Sequence, residues 1–284
     1  MTNVLDTLAT GIPVFSTDLM LVGRWPLLLT TIAVLLWRWF PRSGVRPSEF
    51  LREVGLVMLV FAIYFFTRAN VDLHYYDEAL DRAADIIRLE RDLGMHIEPH
   101  VQDYVLRHPA LLELSNAVYQ WGHWPVIVSI ALWLFFHRRD EYAVFRNAFI
   151  ITCAMGIVLY AAFPTAPPRF MEGWGFVDTI YGTPDAAAVE MPAQLVNEYA
   201  SMPSLHLGWN VLVSAALVRH APALWARMLG IAMPAAMFLA IIATGNHYVI
   251  DALAGAAVAL TALAAATLLQ RAARWAPQAA TAAI

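Results

Sequence analysis

Long apolar runs, separated by short polar clusters, occupy most of this chain. Trp25 to Phe40, Val54 to Thr67, Leu114 to Phe136, Tyr142 to Phe163, Leu205 to Val218, Leu224 to Ala243 and Tyr248 to Leu269 each read as a membrane-crossing helix. A helix rising 1.5 Å per residue needs roughly 20 apolar residues to cross the hydrocarbon core. Only helices and closed barrels satisfy every backbone group in lipid, and these runs are far too long for barrel strands. The pattern therefore predicts an all-α, polytopic integral membrane helix bundle. Trp25, Trp37 and Trp39 fit interfacial anchors of the first span, while the second is short and needs extension by the residues before it.

Residues 68–112 break this pattern. Asp72, Asp77, Glu78, Asp81, Asp85, Glu90, Asp92, Glu98 and Asp103 outnumber Arg68, Arg82, Arg88, Arg91 and Arg107, while Leu80, Ala83, Ala84 and Ile87 recur at helical spacing. The segment reads as one or two amphipathic helices on the membrane surface. Over 94–102, where Gly94 and Pro99 intervene, a solvated linker fits equally well. The expected organisation is an N-terminal segment, 1–52, with one extra span and an Arg-rich loop. A membrane-embedded domain follows at 53–270, carrying 68–112 as a surface insertion, and a tail at 271–284. Asp6 and Asp18 precede the first basic residue, Arg24, which is the wrong flank for a cleaved signal peptide.

Composition sharpens the class. A hydrophobic share of 60 %, a charged share of 14 % and a mean hydropathy of +0.57 exclude an ordinary soluble globule. A net charge of −4 without any basic tract leaves no footprint for nucleic acid. The single cysteine, Cys153, lies in an apolar run, which excludes a disulfide framework and a thiolate zinc site. Lys is absent and Ala abundant, a bias that points to a GC-rich bacterial genome and hence a bacterial plasma membrane. Arg38, Arg42, Arg46 and Arg52 crowd one loop. If that loop is cytoplasmic, alternation places Arg138, Arg139, Arg219, Arg227, Arg271 and Arg274 on the same side. Arg169, His206 and His247 then fall on the non-cytoplasmic face.

The candidate chemistry sits at helix mouths. Ser201-Met202-Pro203-Ser204-Leu205-His206 precedes one apolar run, and Gly245-Asn246-His247-Tyr248-Val249-Ile250-Asp251 opens another. Pro203 suits a first helical turn with Ser201 as its cap, and such a start offers free N–H groups to an anion. His247 and Asp251, four apart, share a helix face, so the carboxylate can hold Nδ1–H and leave Nε2 free to attack phosphorus. Ser204 and His206 are only two apart and lack a nucleophile elbow, which disfavours a serine hydrolase. Two imidazoles and a carboxylate could bind zinc, but no H-E-x-x-H motif is present and Arg169 opposes a cation. Arg169, after the prolines of Pro164-Thr165-Ala166-Pro167-Pro168, reads either as a headgroup anchor or as a bidentate clamp on phosphate. Arg68 and Arg146 are weaker candidates. Trp209 and Tyr248 would line the site or the membrane interface.

At these residues the chain resembles the type 2 phosphatidic acid phosphatase superfamily, in the branch similar to inositol phosphorylceramide synthase that is common in actinobacteria. The resemblance rests on Pro164 to Arg169, Met202 to His206 and Asn246 to Asp251 with Gly255 following, roughly the C-terminal half. It implies a six-helix core, from Val54 to Leu269, beside the extra N-terminal span. It also implies that His247 attacks phosphorus, His206 protonates the leaving oxygen and Asp251 orients the nucleophile, with no metal or other cofactor. Ser204, Asn246, Tyr248 and Arg68 join Arg169 as the expected phosphate-binding set. The chain departs from the wider superfamily in having no Lys in the first motif, Leu205 where Gly is usual, and Ala240-Ile241 where a Ser-Arg pair is usual; the last two departures fit the transferase-like branch better than the plain phosphatases. The expected substrate is a lipid phosphate or phospholipid, with water, a polyol or a lipid alcohol as acceptor. The competing expectation is a non-catalytic binder or transporter of lipid phosphates, although no paired repeats are evident.

Overall fold

The computed structural model describes residues 19–70, 76–179, 197 and 199–282, in two compact units, 1–45 and 46–284. The first contains helix α1 (Leu19–Ser43), which includes the first apolar run. Ser43 Oγ donates to Phe40 O at 2.9 Å, and Gly44 follows with φ +67°, a left-handed stop that a glycine adopts without strain.

The second unit holds α2 (Pro47–Asn70), α3 (Tyr76–Asp92), α4 (Glu98–Leu106), α5 (Pro109–Trp121), α6 (Trp124–His137), α7 (Arg139–Ala162), α8 (Leu205–His220), α9 (Leu224–Ala243) and α10 (Val249–Ala282). Two 3₁₀ turns, Pro168–Phe170 and Glu172–Trp174, lie between α7 and α8. No β-strand occurs among the described residues; Thr165 and Ala200 form a single isolated bridge. Four described helices are long and apolar enough to cross a membrane: Pro47–Arg68, Arg139–Ala162, Leu224–Ala243 and Val249–Arg274. Their outward faces expose large apolar side chains such as Met58, Phe66, Leu224, Ile231 and Leu260, the surface lipid would cover.

One expected span is broken. The run from Leu114 to Phe136 is divided between α5 and α6 at Gly122 and His123. Pro125 explains the break: it has no N–H to donate to Trp121, and its ring would clash with that residue's carbonyl in a continuous helix. In the first turn of α6 the same proline is well placed.

Helix α8 lies at the centre, contacted by α6, α7, α9 and α10. Small residues permit its closest approach. A Cβ on Gly255 would lie 2.0 Å from the Ser204 carbonyl oxygen, and one on Gly208 would lie 2.8 Å from the Gly255 carbonyl oxygen. The mouth of α8 is thus seated directly on α10. Leu205, the departure from the usual Gly, fits because Gly156 faces it, where a Cβ would lie 2.8 Å from Leu205 Cδ1.

Helix α3 has the amphipathic pattern expected of 68–112, and its apolar face is buried in protein. Ala79, Ala83, Ile86 and Ile87 pack with Ala166, Met171, Phe176 and Tyr248, so α3 covers the loop after α7 and the entrance of α10.

Candidate active site

Two chain reversals bring the polar clusters together. Helix α9 stops at Ala243, and Gly245 turns the chain with φ +67°. A Cβ there would be strained by that φ and would meet Gln102 Nε2 at 2.8 Å. The N–H groups of Asn246 and His247 both reach back to Ile241 O, at 3.1 and 3.2 Å. His247 therefore stands just outside α10, and Asp251 sits in its first turn. At the other mouth, α8 begins at Leu205 with Ser204 as its cap, its Oγ accepting from Leu207 N. Pro203 consequently precedes the cap instead of occupying the first turn, and Ser201 is freed for another role.

That role is at Asp251. The Ser201 hydroxyl donates to Asp251 Oδ2, lies 3.4 Å from His247 Nδ1, and sits 3.3 Å from Asn246 O. Asp251 Oδ2 also lies 3.4 Å from His247 Nδ1 and accepts from Tyr248 N at 3.1 Å. Asp251 is fully buried and His247 nearly so. With Nδ1–H donated to this carboxylate, the lone pair of the ring would lie on Nε2. His247 Nε2 faces His206 Nδ1 at 3.4 Å. The two histidines, 41 residues apart, thus form one site with Asp251, held by the Ser204 N to Asp251 O bond at 2.9 Å.

Arg169, in the first 3₁₀ turn, is largely buried. Its Nη1 donates to Asn246 Oδ1 at 2.6 Å, its backbone N to Gly245 O at 2.8 Å, and its Nε lies 3.7 Å from Asp178 Oδ2. The guanidinium is therefore tied to the turn that carries His247. Asn246 in turn donates Nδ2 to Thr244 Oγ1 at 2.8 Å. Arg68, at the end of α2, donates Nη2 to Asn197 O at 3.2 Å and lies over the Tyr160 ring at 6.0 Å. Tyr248 is fully buried beneath α3, with its ring edge-on to Phe176.

His123 joins the site without having been among the expected residues. It is buried, its ring centroid lies 5.2 Å from that of His206, and neither ring nitrogen has a hydrogen-bond partner. Tyr119 stacks obliquely on His206 at 4.5 Å. The signal that could have found them is the Gly122-His123-Trp124-Pro125 cluster, where a proline breaks a long apolar run next to a histidine. Among the described residues, metal-ligand spacing occurs at Glu90, His96 and Glu98, whose donor atoms all lie within 4.8 Å of one another; this cluster is beside the start of α10, not between the histidines.

Residues 84–265 match the family described as the PAP2 superfamily. A phosphoinositol dihydroceramide synthase of Bacteroides thetaiotaomicron is 23% identical over 232 residues, covering 74% of this chain and 75% of that protein. The crystal structure of Aquifex aeolicus LpxE is similar at a TM-score of 0.46 and 16% identity, over 61% of this chain and 93% of that one.

Proposed function

The chain belongs to the PAP2 superfamily, and from that premise we propose a membrane lipid phosphatase or phosphotransferase that works through a phosphohistidine at His247. The observation that carries this reading is the aligned set Asp251 Oδ2, His247 Nδ1, His247 Nε2 and His206 Nδ1, with 3.4 Å at each polar contact. His247 Nε2 attacks phosphorus while the bond to the leaving oxygen breaks, and that oxygen takes a proton from His206. In the second half, an acceptor hydroxyl gives its proton to His206 and attacks phosphorus, and the P–N bond breaks to restore His247. Arg169 and the α8 mouth are placed to stabilise charge on the non-bridging oxygens, where most of the catalytic effect in such transfers arises. The phosphorus chemistry itself calls for no metal.

In-line displacement puts the leaving oxygen beyond phosphorus as seen from Nε2, and reacting atoms meet at about 3–3.5 Å. A 3.4 Å contact between the two histidines is too short to hold a phosphoryl group between them. Substrate entry therefore moves the His206 ring away from His247. The PAP2 match and the identity to the Bacteroides synthase support a lipid phosphate ester or diester as substrate. That relative's name also favours an alcohol over water as acceptor, and the distribution of Arg along the chain favours a site on the non-cytoplasmic face of a bacterial membrane.

The test is chemical trapping. Brief incubation of the purified protein with phospholipids labelled in the phosphoryl group, followed by quenching in alkali, should leave label on His247, stable to base and released by acid. His247→Ala should carry none. Label on a serine, or turnover without any covalent label, would sink the mechanism.

A further inference from the structure

The start of α10 is held by more than Asp251. The N–H groups that open a helix have no intrahelical partner. Here Glu98 Oε1 accepts from Val249 N at 2.8 Å and Glu90 Oε1 accepts from Ile250 N at 2.8 Å. The two glutamates come from α4 and α3, some 150 residues earlier in the chain, and both are fully buried. Their second oxygens, Glu90 Oε2 and Glu98 Oε2, have no hydrogen-bond donor. Both point toward the same small space, which His96 Nδ1 borders at 3.9 and 3.4 Å. Two ionised carboxylates placed side by side out of water repel each other and forfeit hydration, so such a pair holds a proton.

We propose that Glu90 and Glu98 are positioning residues for the nucleophile, a carboxylate pair that shares one proton between its Oε2 atoms while its Oε1 atoms hold the first amides of α10 and so fix His247 and Asp251. The inference rests on the reading of His247 as nucleophile. Val249 is two residues from His247 and Ile250 adjoins Asp251, so a shift of either amide moves both partners of the 3.4 Å contact. A displacement of about 1 Å at a reacting group costs on the order of 10²-fold in rate.

The charged and titratable groups facing Glu90 fit a retained proton. They are Glu98 on α4, His96 in the connection before it, and Tyr248 and Asp251 at the mouth of α10. Burial, then the hydrogen bond that the protonated Glu90 carboxyl donates to Glu98, push the Glu90 carboxyl up to about 9, with the Asp251 charge adding to the effect. The shared proton makes one carboxyl a donor and the other an acceptor without disturbing either amide contact.

Glutamine substitutions test the arrangement. In Glu90→Gln or Glu98→Gln, Oε1 still accepts from the amide and Nε2 supplies the hydrogen that the proton supplied. Each single variant should keep kcat within about 3-fold of wild type. The double variant faces one Nε2 donor with another, so kcat should fall by about 10-fold or more with KM little changed. Thermal unfolding supplies a readout that needs no turnover. The folded protein keeps a proton that the unfolded chain releases above the ordinary carboxylate range, so wild-type Tm should fall as pH rises from about 5 toward 9. Glu90→Gln should flatten that slope. Matched slopes in the two proteins overturn the shared proton, and a double variant as active as the singles overturns the positioning role. One equivalent of zinc in the purified wild type, lost in the double variant, would replace the proton by a cation and also overturn it. If His247 is not the nucleophile, the phosphohistidine is missing while the difference in Tm slope remains, which separates the two failures.

Discussion

Asp251 shows how much one atom can be asked to do. Its Oδ2 takes the Ser201 hydroxyl, the Tyr248 amide and the His247 ring, while its own carbonyl takes the Ser204 amide. The carboxylate therefore fixes the tautomer of His247, and the backbone of the same residue pins the α8 mouth. Asp251→Asn keeps the shape and separates these functions. The amide can present its NH₂ to Nδ1, which favours the wrong tautomer and removes the charge that stabilises a positive ring. We expect kcat to fall on the order of 10²–10⁴-fold, with Tm and KM little altered. A variant that loses its fold instead would make Asp251 a structural cap. At this scale the sequence was readable where polar residues interrupt apolar runs, as at Arg169, His206, His247 and Asp251. It gave Ser201 the cap role that Ser204 holds and was silent on the roles of Glu90 and Glu98, because the partners of all three lie 50 to 160 residues away, and spacing carries no information about such pairs.

At the scale of elements, the apolar runs marked the helices well because a period and a length suffice for them. They failed where geometry depends on one residue, as in the broken run at Pro125 and the helix that starts after Pro203, not at it. Gly255 belongs to the same class of single-residue constraint. It follows the third motif, and only the packing reveals that it lets the Ser204 carbonyl rest on α10. In Gly255→Ala the new methyl would meet backbone, which has no rotamer to yield, so the two helices must part. Overpacking of this kind costs about 1–3 kcal/mol, and here it would separate His206 from His247. Tm should drop by several degrees, by about the ratio of that cost to the unfolding entropy. Turnover should fall more than the folded fraction does. Gly173→Ala, at an open position where a Cβ meets nothing within 4 Å, is the matched control. Equal behaviour of the two variants would remove the argument from close approach.

Across the whole molecule the helix ends sort by charge. Arg139 reaches Glu49 at 3.4 Å, Arg146 pairs with Glu53, His220 lies 3.4 Å from Glu141, and Arg274 lies 2.8 Å from Asp140. These contacts gather the starts of α2 and α7 with the last turns of α8 and the far part of α10 at one end of the unit. Arg46, Arg52, Arg138, Arg219 and Arg271 belong to the same end by their places in the chain. The opposite end holds the mouths of α8 and α10, the end of α9 and the Arg169 turn. Retention of Arg-rich segments in the cytoplasm would then put the site outside, the orientation proposed above. With Cys153 replaced by Ala, a cysteine at exposed Glu172 should react with an impermeant thiol reagent added to intact cells. One at exposed Ser48 should react only after lysis. The reverse pattern would place His206 and His247 in the cytoplasm, where their substrates would have to come from the inner leaflet. Labelling of both positions in intact cells would mean mixed insertion, and the Arg asymmetry would then be too weak to set the orientation of this chain.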